Sequence, residues 1–364
     1  MQRVYLIPGF FGFAHLGDLR YFGHVHRFLV DRCVRAGVQA QVHEVHALPT
    51  ASLKRRTQRL VETVAATAQR GDGLHLVGHS SGGLDARLFA SPGVQLGVEV
   101  EPWAAQLRSV VTVSTPHRGT PSAAAFSTLA GKRLLRLLSL MTIVVIRRGS
   151  LPLHFTLSLG QRLRRAGDLL DDTSGIVDEL FAGLLNELTD ERRDQIAAFF
   201  RDVGDDQALL PQIAPDAMDA FNVSTIDRPE VRYGAVVTRA RRPGLRAVLE
   251  AGASPYAQAS NALYVACHRL AASGGPAFDA QLVGLRDRWL DLETSDNDGM
   301  VPTASQPWGE LVAAVDADHL DVIGHFTGPD AQPPHYDWIR TGTGYRRPAF
   351  EDTWSRVFDF LFRA

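Results

Sequence analysis

The sequence predicts an α/β fold: a mostly parallel central sheet whose alternation of strands and helices is interrupted by a helical insertion. Three observations carry that expectation. Strand-like and helix-like segments alternate over residues 1–120, the order that βαβ crossovers and a parallel sheet require. An apolar strand, Leu74 to Val77, passes through a sharp turn of small residues straight into a helical segment, Leu84 to Ala90. Residues 121–225 then give helical patterns without strand signal, and strand character returns within 226–364.

The elements follow in order. Val4-Tyr5-Leu6-Ile7 is a short apolar run stopped by Pro8-Gly9, which reads as a central strand with a glycine loop through Phe10 to Phe13 beyond it. Between Tyr21 and Ala36 the spacing of Phe22, Val25, Phe28, Leu29 and Val30 gives a helix ended by Gly37. Ala40 to Leu48 alternates as a strand does. Thr50 opens a helix reaching Arg70, with Leu53, Leu60, Val61, Val64 and Ala68 on one face and Gly71 as the stop. Leu107 to Val113 makes a further strand, broken by the segment Ser114 to Pro121.

Inside the insertion, Leu134 to Ile146 is nearly all apolar and is bracketed by Lys132-Arg133 and Arg147-Arg148. A bilayer span needs about 20 apolar residues, which this run does not supply. A buried helix, an interfacial helix and a lid over a pocket are the alternatives. A cap or lid able to touch a lipid surface is the expectation. Ile176 to Leu188, Arg192 to Asp202 and Pro215 to Phe221 continue the helical pattern. Val231 to Thr238 and Val312 to Val315 resume the sheet, and Phe350 to Phe362 closes it as an amphipathic helix.

Composition bounds the function classes. A net charge of -2 across 364 residues gives no reason to expect nucleic acid, and 45% apolar residues describe a globular chain with a sizeable core. Cys33 and Cys267 lack metal-ligand spacing and make either two buried thiols or one disulfide. Met1-Gln2-Arg3 leads directly into a strand without a signal peptide, so the expected location is the cytoplasm, or the outside of the cell for a trimmed form.

The chemistry centres on Gly78-His79-Ser80-Ser81-Gly82, which fits G-x-S-x-G in the strand, turn and helix context that gives the motif meaning. Ser80 would project at the strand tip as a nucleophile. Ligands of an open α/β sheet bind beyond the carboxyl ends of the strands, so the loop after Ile7 should meet Ser80 there. Backbone N–H groups of Phe10 and Ser81 are the candidate donors to an oxyanion. A serine needs a base, and the base needs an acid to orient it. In the chain order Ser, acid, His, the candidates are Asp298, in Asn297-Asp298-Gly299, and His319, in His319-Leu320-Asp321. The rivals are Asp291 and Asp296 for the acid, and His325 and His335 for the base.

Tyr5 to Phe13, Gly78 to Gly83, Val111 to Gly119, Ala214 to Asn222, Asn297-Asp298-Gly299 and His319-Leu320-Asp321 together resemble the bacterial triacylglycerol lipases of the Pseudomonas and Burkholderia type, within the α/β-hydrolase superfamily. The resemblance implies Asp298 as triad acid, His319 as base, and Phe10 and Ser81 as oxyanion donors. It also implies a structural calcium ion with Asp321 among its ligands. This chain has Pro8-Gly9 where the family usually has His-Gly. The implied function is serine carboxylic-ester hydrolysis on an ester or lipid with an apolar acyl chain. The same three residues could serve acyl transfer or attack on a polyester, and a non-catalytic binding protein on this scaffold is the reading from another class.

Overall fold

The computed structural model describes residues 1–10, 21–46, 48–128, 132–133, 137–141, 144–145, 151–165, 176–186, 189–190, 193–194, 208–272, 283–337 and 339–363. The first half runs β1 (Gln2–Ile7), α1 (Gly23–Ala36), β2 (Ala40–Glu44), α2 (Leu53–Thr67), β3 (Gly73–His79), α3 (Ser81–Ala90), α4 (Glu101–Ala104) and β4 (Leu107–Val113). Helices α5 (Pro121–Ser127), α6 (Leu153–Arg165), α7 (Ile176–Asn186), α8 (Leu209–Gln212) and α9 (Pro215–Ser224) follow, with no strand among the described residues before β5 (Arg232–Thr238). The chain ends with α10 (Leu245–Ala251), α11 (Pro255–Ala272), β6 (Glu310–Val315) and α12 (Arg347–Phe362).

All six strands pair in parallel in the order β2-β1-β3-β4-β5-β6. The chain therefore starts in the middle, steps out to β2, and returns over β1 to build the rest. That reversal leaves a crevice between the carboxyl ends of β1 and β3, because the helices that follow these two strands, α1 and α3, lie on opposite faces of the sheet. Ile7 and Gly78 are register partners there, so Pro8-Gly9-Phe10 and Ser80 emerge side by side.

Helices bury both faces of the sheet, as parallel sheets require. On one face α1 and α12 pack Val25, Leu29, Trp354 and Phe358 against Val4, Leu6, Val77 and Val111. On the other, α2 and α3 place Leu60, Val64, Ala86 and Phe89 over Tyr5, Ile7, Leu76 and Val110. Local signals end the helices. Ser52 caps α2 by accepting from the Arg55 N–H, and Gly37 closes α1 at φ 66°, a left-handed conformation that costs glycine little. The expected boundaries shift by a few residues: α2 stops at Thr67 rather than Arg70, and β2 at Glu44 rather than Leu48.

Of the apolar run at 134–146, the described residues Leu137, Leu138, Leu140, Met141, Val144 and Val145 are buried and join the main core with Phe126, Phe155 and Leu184. The parts at 134–136, 142–143 and 146, and most of the segment 192–202, lie outside the described residues, as do Phe11 to Phe13. Among the described residues no helix is long and apolar enough to cross a membrane. Cys33 and Cys267 are both free and buried.

Candidate active site

Ser80 lies between the last residue of β3 and the first of α3, at φ 55° and ψ −132°. A non-glycine residue is rarely found there, and such strain persists only where the surroundings hold it. The hold is visible: Ser80 N–H donates to Val113 O at 2.9 Å, and Gly83 N–H donates to Ser80 O at 3.0 Å. A Cβ at Gly78 would overlap the Gly82 carbonyl, and one at Gly82 would overlap the Ile7 carbonyl. The two motif glycines thus let β3, α3 and the loop after β1 meet backbone to backbone. Ser81 is the first residue of α3, where an N–H has no acceptor within the helix. Phe10, Ser80 and His319 line one cleft.

Asp298 and His319 are tied together twice. His319 Nδ1 donates to Asp298 Oδ2 at 2.8 Å, and His319 N–H donates to Asp298 O at 3.0 Å. With Nδ1 as the donor, the Nε2 lone pair is left to accept a proton. Asp298 itself is caged. Its Oδ1 accepts the N–H groups of Met300 and Val301 at 3.0 and 2.8 Å, and its Oδ2 also accepts from Thr238 Oγ1 at 2.9 Å and Gln306 Nε2 at 3.4 Å. Ser114, at the tip of β4 with φ 51°, sits 2.8 Å from the Thr238 hydroxyl and extends the chain of hydroxyls.

The rivals are elsewhere. His325 Nε2 donates to Tyr21 O, and His335 Nδ1 donates to Gly324 O. Asp291 pairs with Arg239, and Asp296 with Arg242.

Sequence reasoning missed a second layer. His79 Nε2 lies 2.8 Å from His319 O, an acceptor only, so Nε2 carries the proton and Nδ1 accepts from Tyr21 Oη at 2.6 Å. Tyr21 Oη also takes a backbone hydrogen bond from Gly9. Burial, with the nearby His319 adding to it, holds the His79 pKa well below the usual imidazole range, which keeps this tautomer neutral. One buried relay therefore fixes the β1 loop, the elbow and the backbone of His319. Its only sequence trace is the histidine inside the pentapeptide.

Behind His319 lies a group of acids. Asp318, Asp321 and Asp337 bring one carboxylate oxygen each within 4.8 Å of the others. Asp318 Oδ1 accepts the N–H groups of Leu320 and Asp321, while Asp321 Oδ1 and Asp337 Oδ1 are buried without a hydrogen-bond partner. Burial first, and the neighbouring carboxylates second, push Asp337 up to about 7 and Asp321 well above the usual carboxylate range; burial also takes Asp318 to about 7. Crowded carboxylates with orphaned oxygens fit a hard divalent cation, and oxygen-only donors are what calcium takes. Asp321 was expected among such ligands. Asp318 is its neighbour in Asp318-His319-Leu320-Asp321, and Asp337 arrives from a distant loop with no local signal.

No family model matches this chain, and no curated protein does either. Solved structures do. Lipase 1 from Pelosinus fermentans is 16% identical with a TM-score of 0.56, covering 100% of this chain and 99% of that one. The Staphylococcus hyicus lipase is 14% identical with a TM-score of 0.52, over 100% of this chain and 95% of that one. EstA from Clostridium botulinum is 16% identical with a TM-score of 0.52, over 98% and 87%. The structural neighbours are bacterial lipases and esterases, and the parallel six-stranded sheet with helices on both faces is the α/β-hydrolase fold.

Proposed function

We propose that this protein is a serine carboxylic-ester hydrolase of the lipase and esterase class, working through an acyl-enzyme. The observation that carries the proposal is the 2.8 Å hydrogen bond between His319 Nδ1 and Asp298 Oδ2, made by a histidine that lines the same cleft as the strained Ser80. His319 Nε2 takes the Ser80 proton as Ser80 Oγ attacks the ester carbonyl, and caged Asp298 stabilises the imidazolium that forms. The N–H groups of Ser81 and Phe10 receive the oxyanion charge at the end of α3. His319 then protonates the leaving alcohol and afterwards draws a proton from the water that frees the acid.

The sequence blocks shared with lipases of the Pseudomonas and Burkholderia type support a place beside them. The described helices within residues 121–225, α5 to α9, serve as the cap, standing in sequence between the two halves of the hydrolase core. Asp318, Asp321 and Asp337 would hold a calcium ion, which when bound supplies the positive charge that lets three buried carboxylates stay ionised. Asp321 and Asp318 flank His319 closely enough that fixing them fixes the histidine loop. The test is Ser80→Ala. It should abolish hydrolysis of p-nitrophenyl butanoate while the melting temperature holds, and full retained turnover refutes the assignment.

A further inference from the structure

The geometry points to a short acyl pocket with a fixed wall, making esters of two- to four-carbon acids the substrate class; this rests on the hydrolase reading above. The cleft at Ser80 measures about 40 Å³. Pockets that enclose a drug-sized ligand hold about 300–1,000 Å³, so this cleft has room for only a short acyl group beyond the carbonyl carbon. The walls are apolar. Thr120 Oγ1 and Ser122 Oγ both donate to Met300 O, at 2.6 and 3.3 Å, so neither hydroxyl has a proton left to donate to a ligand.

A small cleft limits the substrate only if its walls stay in place, and these are bolted down. Leu210 and Ile213 close the pocket from α8 and the residue after it. Leu209 N–H donates to Thr50 O at 3.0 Å, Leu53 N–H donates to Gln212 Oε1 at 2.8 Å, and Thr120 N–H donates to Ile213 O at 3.0 Å. α8 is thus pinned to the entry of α2 on one side and to the loop before α5 on the other. Phe126 and Leu210 belong to the main core, and Ile213 to the cluster that holds Leu53, Leu84 and Met218. Moving this wall aside for a longer chain would break backbone hydrogen bonds and expose core residues together. Leu210, Ile213 and Phe126 therefore act as specificity-determining residues that end the acyl site.

The experiment pairs labelling with turnover. Ethyl and octyl p-nitrophenyl phosphonates are compared for labelling of Ser80 by mass spectrometry, and p-nitrophenyl ethanoate, butanoate, octanoate and dodecanoate are compared for kcat/KM below their solubility limits. The expected result is fast labelling by the ethyl reagent alone and at least a tenfold fall in kcat/KM from butanoate to octanoate. Leu210→Ala should raise octanoate turnover relative to butanoate. Ala123→Leu, which fills the pocket instead of hollowing it, should lower butanoate more than ethanoate, and melting curves verify that each variant folds. Equal labelling by both reagents with octanoate used as well as butanoate overturns the short pocket and leaves the hydrolase reading standing. Labelling by neither reagent, with no ester turned over, removes the hydrolase reading and the pocket with it.

Discussion

Asp298 and Asp321 are both buried carboxylates, in contact with the same histidine loop, and their surroundings are opposite. Asp298 accepts two backbone N–H groups on one oxygen and His319, Thr238 and Gln306 on the other. Asp321 accepts Thr343 Oγ1 on one oxygen, leaves the other without a partner, and faces two further carboxylates. A carboxylate surrounded by donors has its hydrogen bonds supplied by the protein alone. A carboxylate crowded by its own kind must either take up a proton or share a cation. The difference separates a carboxylate whose hydrogen bonds the chain supplies in full from one that the chain leaves half unsatisfied.

The sharpest way to break this contrast is Asp298→Asn. The amide offers a donor where His319 Nδ1–H needs an acceptor, so the imidazole adopts the wrong tautomer, and kcat/KM should fall by about 10⁴. Its response to chelator should match that of the parent protein; a loss of calcium response would mean that the two settings are one. Asp321→Asn should do the reverse. Wild-type protein transferred from saturating calcium to chelator should melt about 3–4 °C lower, the shift expected for a ligand held at a hundred times its dissociation constant. The variant should show almost none of that shift by scanning calorimetry, while retaining measurable ester turnover.

The smallest effect concerns pH, measured with calcium present. His24 stacks on His335 with ring centroids 3.7 Å apart, and His24 and His325 face each other at 6.3 Å. Burial first, then the neighbouring imidazoles, lower His24 to about 3; His325 falls to about 4 by burial. Arg27 adds to the effect on His24, while Arg347 and Glu351 act on His335 with opposite signs. In the unfolded chain these rings protonate below about pH 6.5. The unfolded state then binds more protons than the folded one, so stability is full above that pH and is lost as pH falls toward 4. Melting temperature against pH should slope accordingly, and His24→Phe should flatten the slope. An unchanged slope would assign the acid sensitivity to other groups.

Much of the architecture was legible because it rests on local rules. The αL glycine after α1, the serine cap of α2, and the small residues around Ser80 all act within a few positions of themselves. The order of the candidate serine, acid and base could be written down for a similar reason, since each sits in a short sequence block. What the sequence hid are partnerships made across the sheet. Thr238 and Gln306 converge on Asp298 only once β5 lies beside β6, and Tyr21 reaches His79 only after α1 packs. Asp337 joins Asp318 and Asp321 through a loop with no spacing rule at all. The apolar run at 134–146 could be read as a cap, an interfacial helix or core, because periodicity cannot say what covers an apolar face. Its described residues are buried in the core.

The sheet ends at β6, and no described strand pairs with its outer edge. Beside that edge runs a groove lined by Arg288, Asp316, Asp352 and Arg356, and Arg288 Nε donates to the Ala314 carbonyl of the strand itself. Such a border works as a guard: a foreign strand approaching Glu310 to Val315 meets fixed charge before it meets open amides. Neutralising these side chains would leave the cleft chemistry alone and open the edge as a template for fibrous self-association.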